Sequence, residues 1–404
     1  MARRFVVRAV GPARPGQTAA LATALAVARV RLLDLGQRVA MGEVALEALV
    51  ETDGEIDLET LLPSAGDSCG LDCRVEAVEP AVEETWREEA STPQWSLTLM
   101  GASLSAEITA EVGTLTAAQG LTIERIERLS ADADLDPFTA PPNGACLVWS
   151  LRGAPVDDAA FHETALGLAE RFDVDIALQP TTLWNRHRRL ICFDMDSTLI
   201  QAEVIDELAR RHGVFDDVAA ITERAMRGEL DFQQSFRERM KKLEGLDESV
   251  LAEIAETLPL MPGVERLMRH LKRLGYRTAI LSGGFTYFAH HLQERLGFDE
   301  VHANTLVIRD GKVTGEVEEP IVDAERKAHL LGEIAERCGF AREQTVAVGD
   351  GANDLKMLES AGTGVAFHAK PLVRRQARQA VSNMGLDGLL YLLGYSEREL
   401  DSLS

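Results

Sequence analysis

Cysteine is scarce: five residues in 404, an odd number spread thinly, which is no basis for a disulfide-stapled fold. Free thiols in a reducing cytoplasm are the expectation. Only Cys69 and Cys73 stand close, in CGLDC, and no His or further Cys follows to complete a metal set. They read as two small residues near a strand start. No apolar stretch approaches the roughly 18 residues that a membrane-spanning helix needs, so no membrane association is expected. The opening MARRFVVRAVGPARPG breaks its short apolar run at Gly11-Pro12 and does not read as a signal peptide. Positive charge is also in deficit, at a net charge of -23. That balance argues against a nucleic-acid partner, because a phosphate backbone would be repelled. An anionic small molecule would need a cationic site built locally, against the overall field. Within the positive charges lysine is rare, seven against thirty-five arginines.

What is present is an ordinary globular composition, 46% hydrophobic and 26% charged, in a chain long enough for two or three domains. The first half reads as one pattern used twice. RFVVRAV is a strand, GPARPG a turn, and a helix is expected from about Thr18 to Leu35. Arg38 to Val50 then looks extended, with a short helix near Leu58 and a strand from Leu71 to Val78. The acidic, proline-punctuated EPAVEETWREEASTPQ is the expected linker. The second stretch repeats the order: WSLTLMG, a helix over about 105–119, LTIERIERLS, ACLVWSLRG, a helix over about 157–172, and VDIALQP. Twice βαββαβ predicts two α+β ferredoxin-like domains, at 1–80 and 95–182, joined by 81–94. With Gly11-Pro12 and Arg14-Pro15-Gly16 in the first copy and IERIERLS in the second, this half resembles the ACT family of amino-acid-binding regulatory domains. The resemblance implies an amino-acid effector and pairing of two copies as a homodimer. Ala13 stands where that family usually has an acid, and GASLSAEI replaces the turn in the second copy.

From about residue 186 the texture changes. RLICF, YRTAIL and TVAVG alternate with helices, as in a doubly wound parallel α/β sheet. One helix shows its period through Val264, Leu267, Met268, Leu271 and Leu274, with Pro262 before it and Gly275 after. A mostly helical insertion, about 201–260, is placed to cap the strand ends. Asp310-Gly311 between extended runs signals a hairpin, and His302 nearby has no partner that the sequence names.

Four segments fall at strand ends or a helix start, where open α/β sheets bind ligands. Asp194 ends the apolar run ICF, where a carboxylate is costly unless paired or metal-bound. Ser282-Gly283-Gly284 offers a hydroxyl and open backbone N–H groups to phosphate oxygens. Lys327 lies at the start of a helix over about 324–338. VAVGDGANDLKML groups Asp350, Asn353 and Asp354 among glycines.

In this order the segments resemble the haloacid dehalogenase-like (HAD) phosphatase superfamily, whose DxDxT signature is matched by Asp194, Asp196 and Thr198. The resemblance implies a Rossmann-like core with a small helical cap. It makes Asp194 the nucleophile that forms an aspartyl-phosphate, and Asp196 the acid and then the base. Lys327 would neutralise phosphate and nucleophile. Mg²⁺ would be held by Asp194, Asp350 and the Asp196 main-chain carbonyl, with Asn353 and Asp354 ordering the site. Two carboxylates suit the chemistry: attack by one divides a very slow hydrolysis into two steps, and the other moves the protons.

The cap narrows the substrate. Glu203, nine residues after Asp194, could take an ammonium, and Arg239 in GELDFQQSFRERM could fork a carboxylate. With Met226 and Phe232 as apolar closers, these positions resemble the phosphoserine phosphatases, over about 189–394. That implies phosphoserine as substrate and the last step of serine biosynthesis. Another small phosphomonoester, transfer of phosphate to an acceptor such as homoserine, or an amino-acid sensor with an inactive HAD domain stay open at this point.

Overall fold

The computed structural model describes residues 3–53, 57–90, 92–131 and 144–403. The chain divides into two compact units, Met1–Thr92 and Pro93–Ser404.

The first unit runs β1 (Arg3–Pro12), α1 (Gln17–Val27), β2 (Arg31–Ala40), β3 (Glu43–Thr52), α2 (Leu58–Cys69), β4 (Asp72–Ala77) and α3 (Pro80–Ala90). Its strands pair antiparallel in the order β2-β3-β1-β4. Alternation decides the buried face: Phe5, Val7 and Ala9 of β1 and Val44, Leu46, Ala48 and Val50 of β3 pack on Leu21, Leu25, Leu58 and Leu62 from the two helices. The helix expected to reach Leu35 stops at Val27. Arg29 adopts a left-handed φ of 52°, which ends the helical path, and Arg31 onward is edge strand. The apolar run Leu32, Leu33 and Leu35 imitates a helical period, but pairing with β3 settles its state. Met41 and Gly42, both at positive φ, make the hairpin turn that the sequence reading passed over. The acidic segment expected to connect the two copies is itself helical, as α3.

The second unit opens with the same order: β5 (Gln94–Gly101), α4 (Ala106–Ala118), β6 (Thr122–Arg128), β7 (Ala145–Arg152), α5 (Asp158–Phe172) and β8 (Val174–Pro180), in a sheet ordered β6-β7-β5-β8. Leu97, Leu99, Trp149 and Leu151 bury against Ile108, Val112, Phe161 and Ala165. The other face of this sheet is also covered: Met100, Cys146 and Ala177 join the core cluster of the α/β domain that follows.

That domain is built on β9 (Leu190–Phe193), whose four residues are fully buried. The helical insertion follows: α6 (Val204–His212), α7 (Phe215–Met226), α8 (Phe232–Lys242) and α9 (Ser249–Thr257). Then come α10 (Val264–Arg273), β10 (Arg277–Phe285), α11 (Thr286–Leu296), β11 (Glu300–Asn304), and the hairpin β12 (Leu306–Arg309) with β13 (Lys312–Val317). The chain continues through α12 (Ala324–Arg337), β14 (Thr345–Gly349), α13 (Leu355–Ser360), β15 (Thr363–Phe367), α14 (Pro371–Gln376) and β16 (Gln379–Val381). The six-stranded sheet is parallel, ordered β11-β10-β9-β14-β15-β16. Its centre, β10-β9-β14, aims three strand ends at one place. The expected period of α10 holds, with Val264, Leu267, Met268 and Leu271 buried. The insertion leans on the hairpin, where Gly245 N–H donates to Val313 O at 2.8 Å. His302, left without a partner by sequence reasoning, has Nε2 at 3.3 Å from Glu300 Oε2.

Candidate active site

The carboxyl ends of β9, β10 and β14 converge. Asp194 directly follows β9; it is 4% exposed, and its N–H donates to Val348 O of β14 at 2.9 Å. Lys327, in the second turn of α12, is fully buried and donates through Nζ to Asp194 Oδ1 and Asp354 Oδ1, each at 2.7 Å. Asp323 caps that helix, accepting from Arg326 N–H at 2.9 Å, a contact worth roughly 1 kcal/mol that fixes where Lys327 starts. Burial works against the lysine's charge, but the two carboxylates outweigh it and its pKa is raised. Asp354 is spent on both sides, since Oδ2 accepts Gly351 N–H at 3.0 Å. A Cβ at Gly349 would fall 2.5 Å from Asp354 Cγ, so the loop after β14 closes only with glycine there. Asn353 is half-buried, its Oδ1 over Gly351.

Oxygen atoms of Asp194, Asp350 and Asp354 lie within 4.8 Å of one another. Three carboxylates share one ammonium there. Burial, and then the neighbouring Asp354 charge, push Asp194 up to about 8 and Asp350 up to about 7. The side-chain cluster therefore contains Asp354, where the sequence expectation used Asp196 through its main-chain carbonyl. Asp196 is half-buried; its carboxylate faces Val204 N–H at 3.5 Å, and burial followed by Glu203 and Asp194 raises it well above the ordinary range. A Cβ at Gly284 would lie 2.9 Å from Asp196 Oδ2, which leaves only glycine beside that carboxylate. Ser282 is buried, its Oγ accepting Gly284 N–H at 2.9 Å. Gly283 O accepts Asn304 Nδ2 at 2.8 Å, and Asn304 Oδ1 accepts Val322 N–H at 2.8 Å. Asn304 thus braces the glycine turn, a role that no motif announced.

From the insertion, Glu203 at the start of α6 accepts Ser197 Oγ at 3.0 Å. It keeps an exposed edge, yet the protein around it raises its pKa, against the Ser197 hydrogen bond and the charges of Lys370 and Arg239. Arg239 near the end of α8 is half-buried; Nε has no partner among the described residues, and burial lowers its pKa against the pull of Glu203, Asp206 and Asp196. A capping box starts α8: Asp231 Oδ1 accepts Gln234 N–H at 2.7 Å, and Gln234 Oε1 accepts Asp231 N–H at 3.1 Å. It sets Phe232 at the first helical position, its ring tip against Gly283 and stacked on Phe236 at 6.0 Å. Gln233 Nε2 reaches Asp323 Oδ2 at 2.7 Å and ties α8 to the cap of the lysine helix. Met226, the other expected apolar closer, ends α7 and is 72% exposed. Lys370, just before α14, was not singled out in sequence; its N–H lies 3.4 Å from Asp350 O, and its charge acts on Asp350 and Glu203.

Comparison with known proteins identifies the family. The family model for haloacid dehalogenase-like hydrolases matches residues 188–362, and the ACT-domain model matches residues 3–76. A phosphoserine phosphatase of Streptomyces coelicolor is 42% identical over 403 residues, which is 98% of this chain and 94% of that one. The chain belongs to the phosphoserine phosphatase family of haloacid dehalogenase-like hydrolases. Another phosphoserine phosphatase, from Mycobacterium tuberculosis, is 39% identical over 401 residues, again 98% and 94% of the two chains. The unliganded crystal structure of a probable phosphoserine phosphatase from Vibrio cholerae superposes with a TM-score of 0.58 at 37% identity, covering 76% of this chain and 89% of that one. Of the expected fold, a HAD core preceded by two ACT-like domains, the comparisons show the core and the first ACT domain.

Proposed function

We propose that this chain hydrolyses O-phosphoserine to serine and phosphate, with Asp194 as nucleophile. The observation that carries the reading is a buried carboxylate at a central strand end, held by a buried lysine and roofed by an acid and a guanidinium. In that arrangement one oxygen of Asp194 is fixed by Lys327. Its attack on phosphorus forms the aspartyl-phosphate as the bond to the serine oxygen breaks, and the electron pair leaving with serine takes the proton of Asp196. Asp196 then takes a proton from water as the water oxygen attacks phosphorus, and the Asp194 carboxylate is released. The raised pKa of Asp196 suits a group that must begin protonated. Ser282, the Gly283 turn and Asn353 are assigned to the phosphate oxygens. Glu203 is assigned to the ammonium of the substrate and Arg239 to its carboxylate, with Phe232 as the apolar wall.

The cation assigned here is Mg²⁺, with Asp194, Asp350 and the Asp196 carbonyl as its protein ligands and Asp354 supporting them. All donors are hard oxygens, and the excess of carboxylates over ammonium leaves charge for a divalent ion to balance. When bound, it supplies the charge that offsets repulsion between carboxylates and a phosphate dianion.

Supporting an effector role for the first unit, a cavity of about 240 Å³ there is bordered by Arg14, Gln17, Thr18 and Gln37. Edge strand β2 leaves Leu32, Leu35 and Val39 exposed, an apolar edge suited to pairing two copies as a homodimer. Serine biosynthesis in the cytoplasm is the setting this reading implies. Phosphate release from phosphoserine, phosphothreonine, phosphohomoserine and sugar phosphates, with Mg²⁺ or EDTA, tests the activity. Metal-dependent preference for phosphoserine is expected. Preference for another monoester would keep the chemistry and remove the assignment of Glu203 and Arg239, and no turnover at all would favour a sensor.

A further inference from the structure

The helix that carries Arg239 meets the core at both of its ends. At the far end the backbone of β13 comes close: a Cβ at Gly315, which has a left-handed φ of 77°, would fall 3.3 Å from Met240 O and Lys241 Cα. Such a contact limits approach but fixes no direction. At the near end Gln233 Nε2 donates to Asp323 Oδ2 at 2.7 Å. Asp323 Oδ1 meanwhile accepts Arg326 N–H at 2.9 Å as the N-cap of α12. One carboxylate therefore serves both helices, the one bearing Lys327 and the one bearing Arg239. The residue before each partner is placed as well. Phe232 lies against Gly283, and Val322 N–H is held by Asn304, whose amide also holds Gly283 O. Arg237, one turn on from Gln233, pairs with Glu319, but both are exposed and such a pair contributes little.

Gln233 and Asp323 are both half-buried, so a single hydrogen bond between them contributes little to folding: each group can turn to water when it breaks. Its consequence is register. Gln233 and Arg239 are separated by about 9 Å along the helix axis, so a small tilt at the first displaces the guanidinium at the second. Recognition of a carboxylate by a guanidinium fork tolerates little displacement. Arg239 itself is not tied down, since its Nε has no partner among the described residues. The helix is set in place while the group it carries is left open. We propose that Gln233 is a positioning residue for substrate choice, setting Arg239, through Asp323, at a fixed distance from the floor built on Lys327. This role rests on the assignment of Arg239 to the substrate carboxylate. Glu203 stands at the start of a different helix, α6, so the reading of an ammonium does not depend on the same tie.

Steady-state hydrolysis of phosphoserine and phosphoethanolamine by the full chain tests it. Phosphoethanolamine keeps the phosphate and the ammonium and lacks the carboxylate, so it is blind to Arg239. Gln233→Glu, which sets a carboxylate against Asp323, should lower kcat/KM for phosphoserine by about tenfold, chiefly through KM, and change phosphoethanolamine by less than about twofold. Combining Gln233→Glu with Asp323→Asn reverses the hydrogen bond, the asparagine amide now donating, and keeps a capping oxygen for Arg326 N–H. In that double variant the preference for phosphoserine should return to within about threefold of wild type, a recovery that a merely structural lesion would not show. Equal losses for both substrates, an unchanged preference in Gln233→Glu, or no recovery in the double variant would overturn the role of Gln233. A wild type that does not prefer phosphoserine over phosphoethanolamine would instead remove the assignment of Arg239, and this role with it.

Discussion

On the floor of the site Lys327 is fully buried and holds two carboxylates at 2.7 Å, whereas in the insertion above it Arg239 keeps a buried Nε with no partner among the described residues and Met226 stands 72% exposed. The two halves draw on different sources of order. The floor is completed by the protein itself: Asp354 is engaged at both oxygens, and the lysine helix is capped by Asp323. In the roof Arg239 Nε is unpartnered among the described residues and Glu203 accepts Ser197 Oγ, which supports the proposal that a substrate completes it. Groups needed for chemistry are organised in advance, where a misplaced reacting atom is most costly. Groups needed for choice can wait for the ligand whose charges they read.

That contrast can be broken at either end. Asp194→Asn should cut kcat by at least about 10³-fold while leaving substrate affinity within a few-fold, measured by phosphate release and by calorimetry. A similar loss is expected on removing divalent metal with EDTA, restored by Mg²⁺. Lys327→Ala should lose about 10²–10³-fold in kcat. It should also lower the denaturation midpoint, because it leaves buried Asp194 and Asp354 uncompensated. Arg239→Ala should raise KM by about 10- to 100-fold with a smaller change in kcat, and should narrow the preference for phosphoserine over simple alkyl phosphates. Met226→Ala should change either constant by less than about threefold, as for an ordinary surface site. If Met226→Ala proved as damaging as Arg239→Ala, the roof would have to close much further than its geometry here implies.

The floor was the more legible half in the sequence for the same physical reason. Its residues must follow strand ends, so they sit in short contiguous strings: Asp194 to Thr198, Ser282 to Gly284, Gly349 to Asp354. Lys327 stood out through the rarity of lysine and its place at a helix start. The contacts that brace these strings were not readable. Asn304 joins Gly283 to Val322, and Gln233 joins α8 to Asp323, across gaps of 18 to 90 residues. Neither sits in a pattern that local chemistry demands. The exposure of Met226 was not readable either, because a position in a helix says nothing about which way the helix faces once packed. The segment 28–35 was misread because its leucines carry a helical period, and only pairing with β3 decides between helix and edge strand. The repeated βαββαβ order was visible because alternation and turn residues are local.

The account turns on a covalent step at one carboxylate, and trapping it is the most direct test. Enzyme mixed with radiophosphorus-labelled phosphoserine and Mg²⁺, quenched in acid within one turnover, should carry label on the peptide containing Asp194, released by hydroxylamine and absent from Asp194→Asn. Label on a different residue, or undiminished turnover by the Asp194→Asn enzyme, would contradict it.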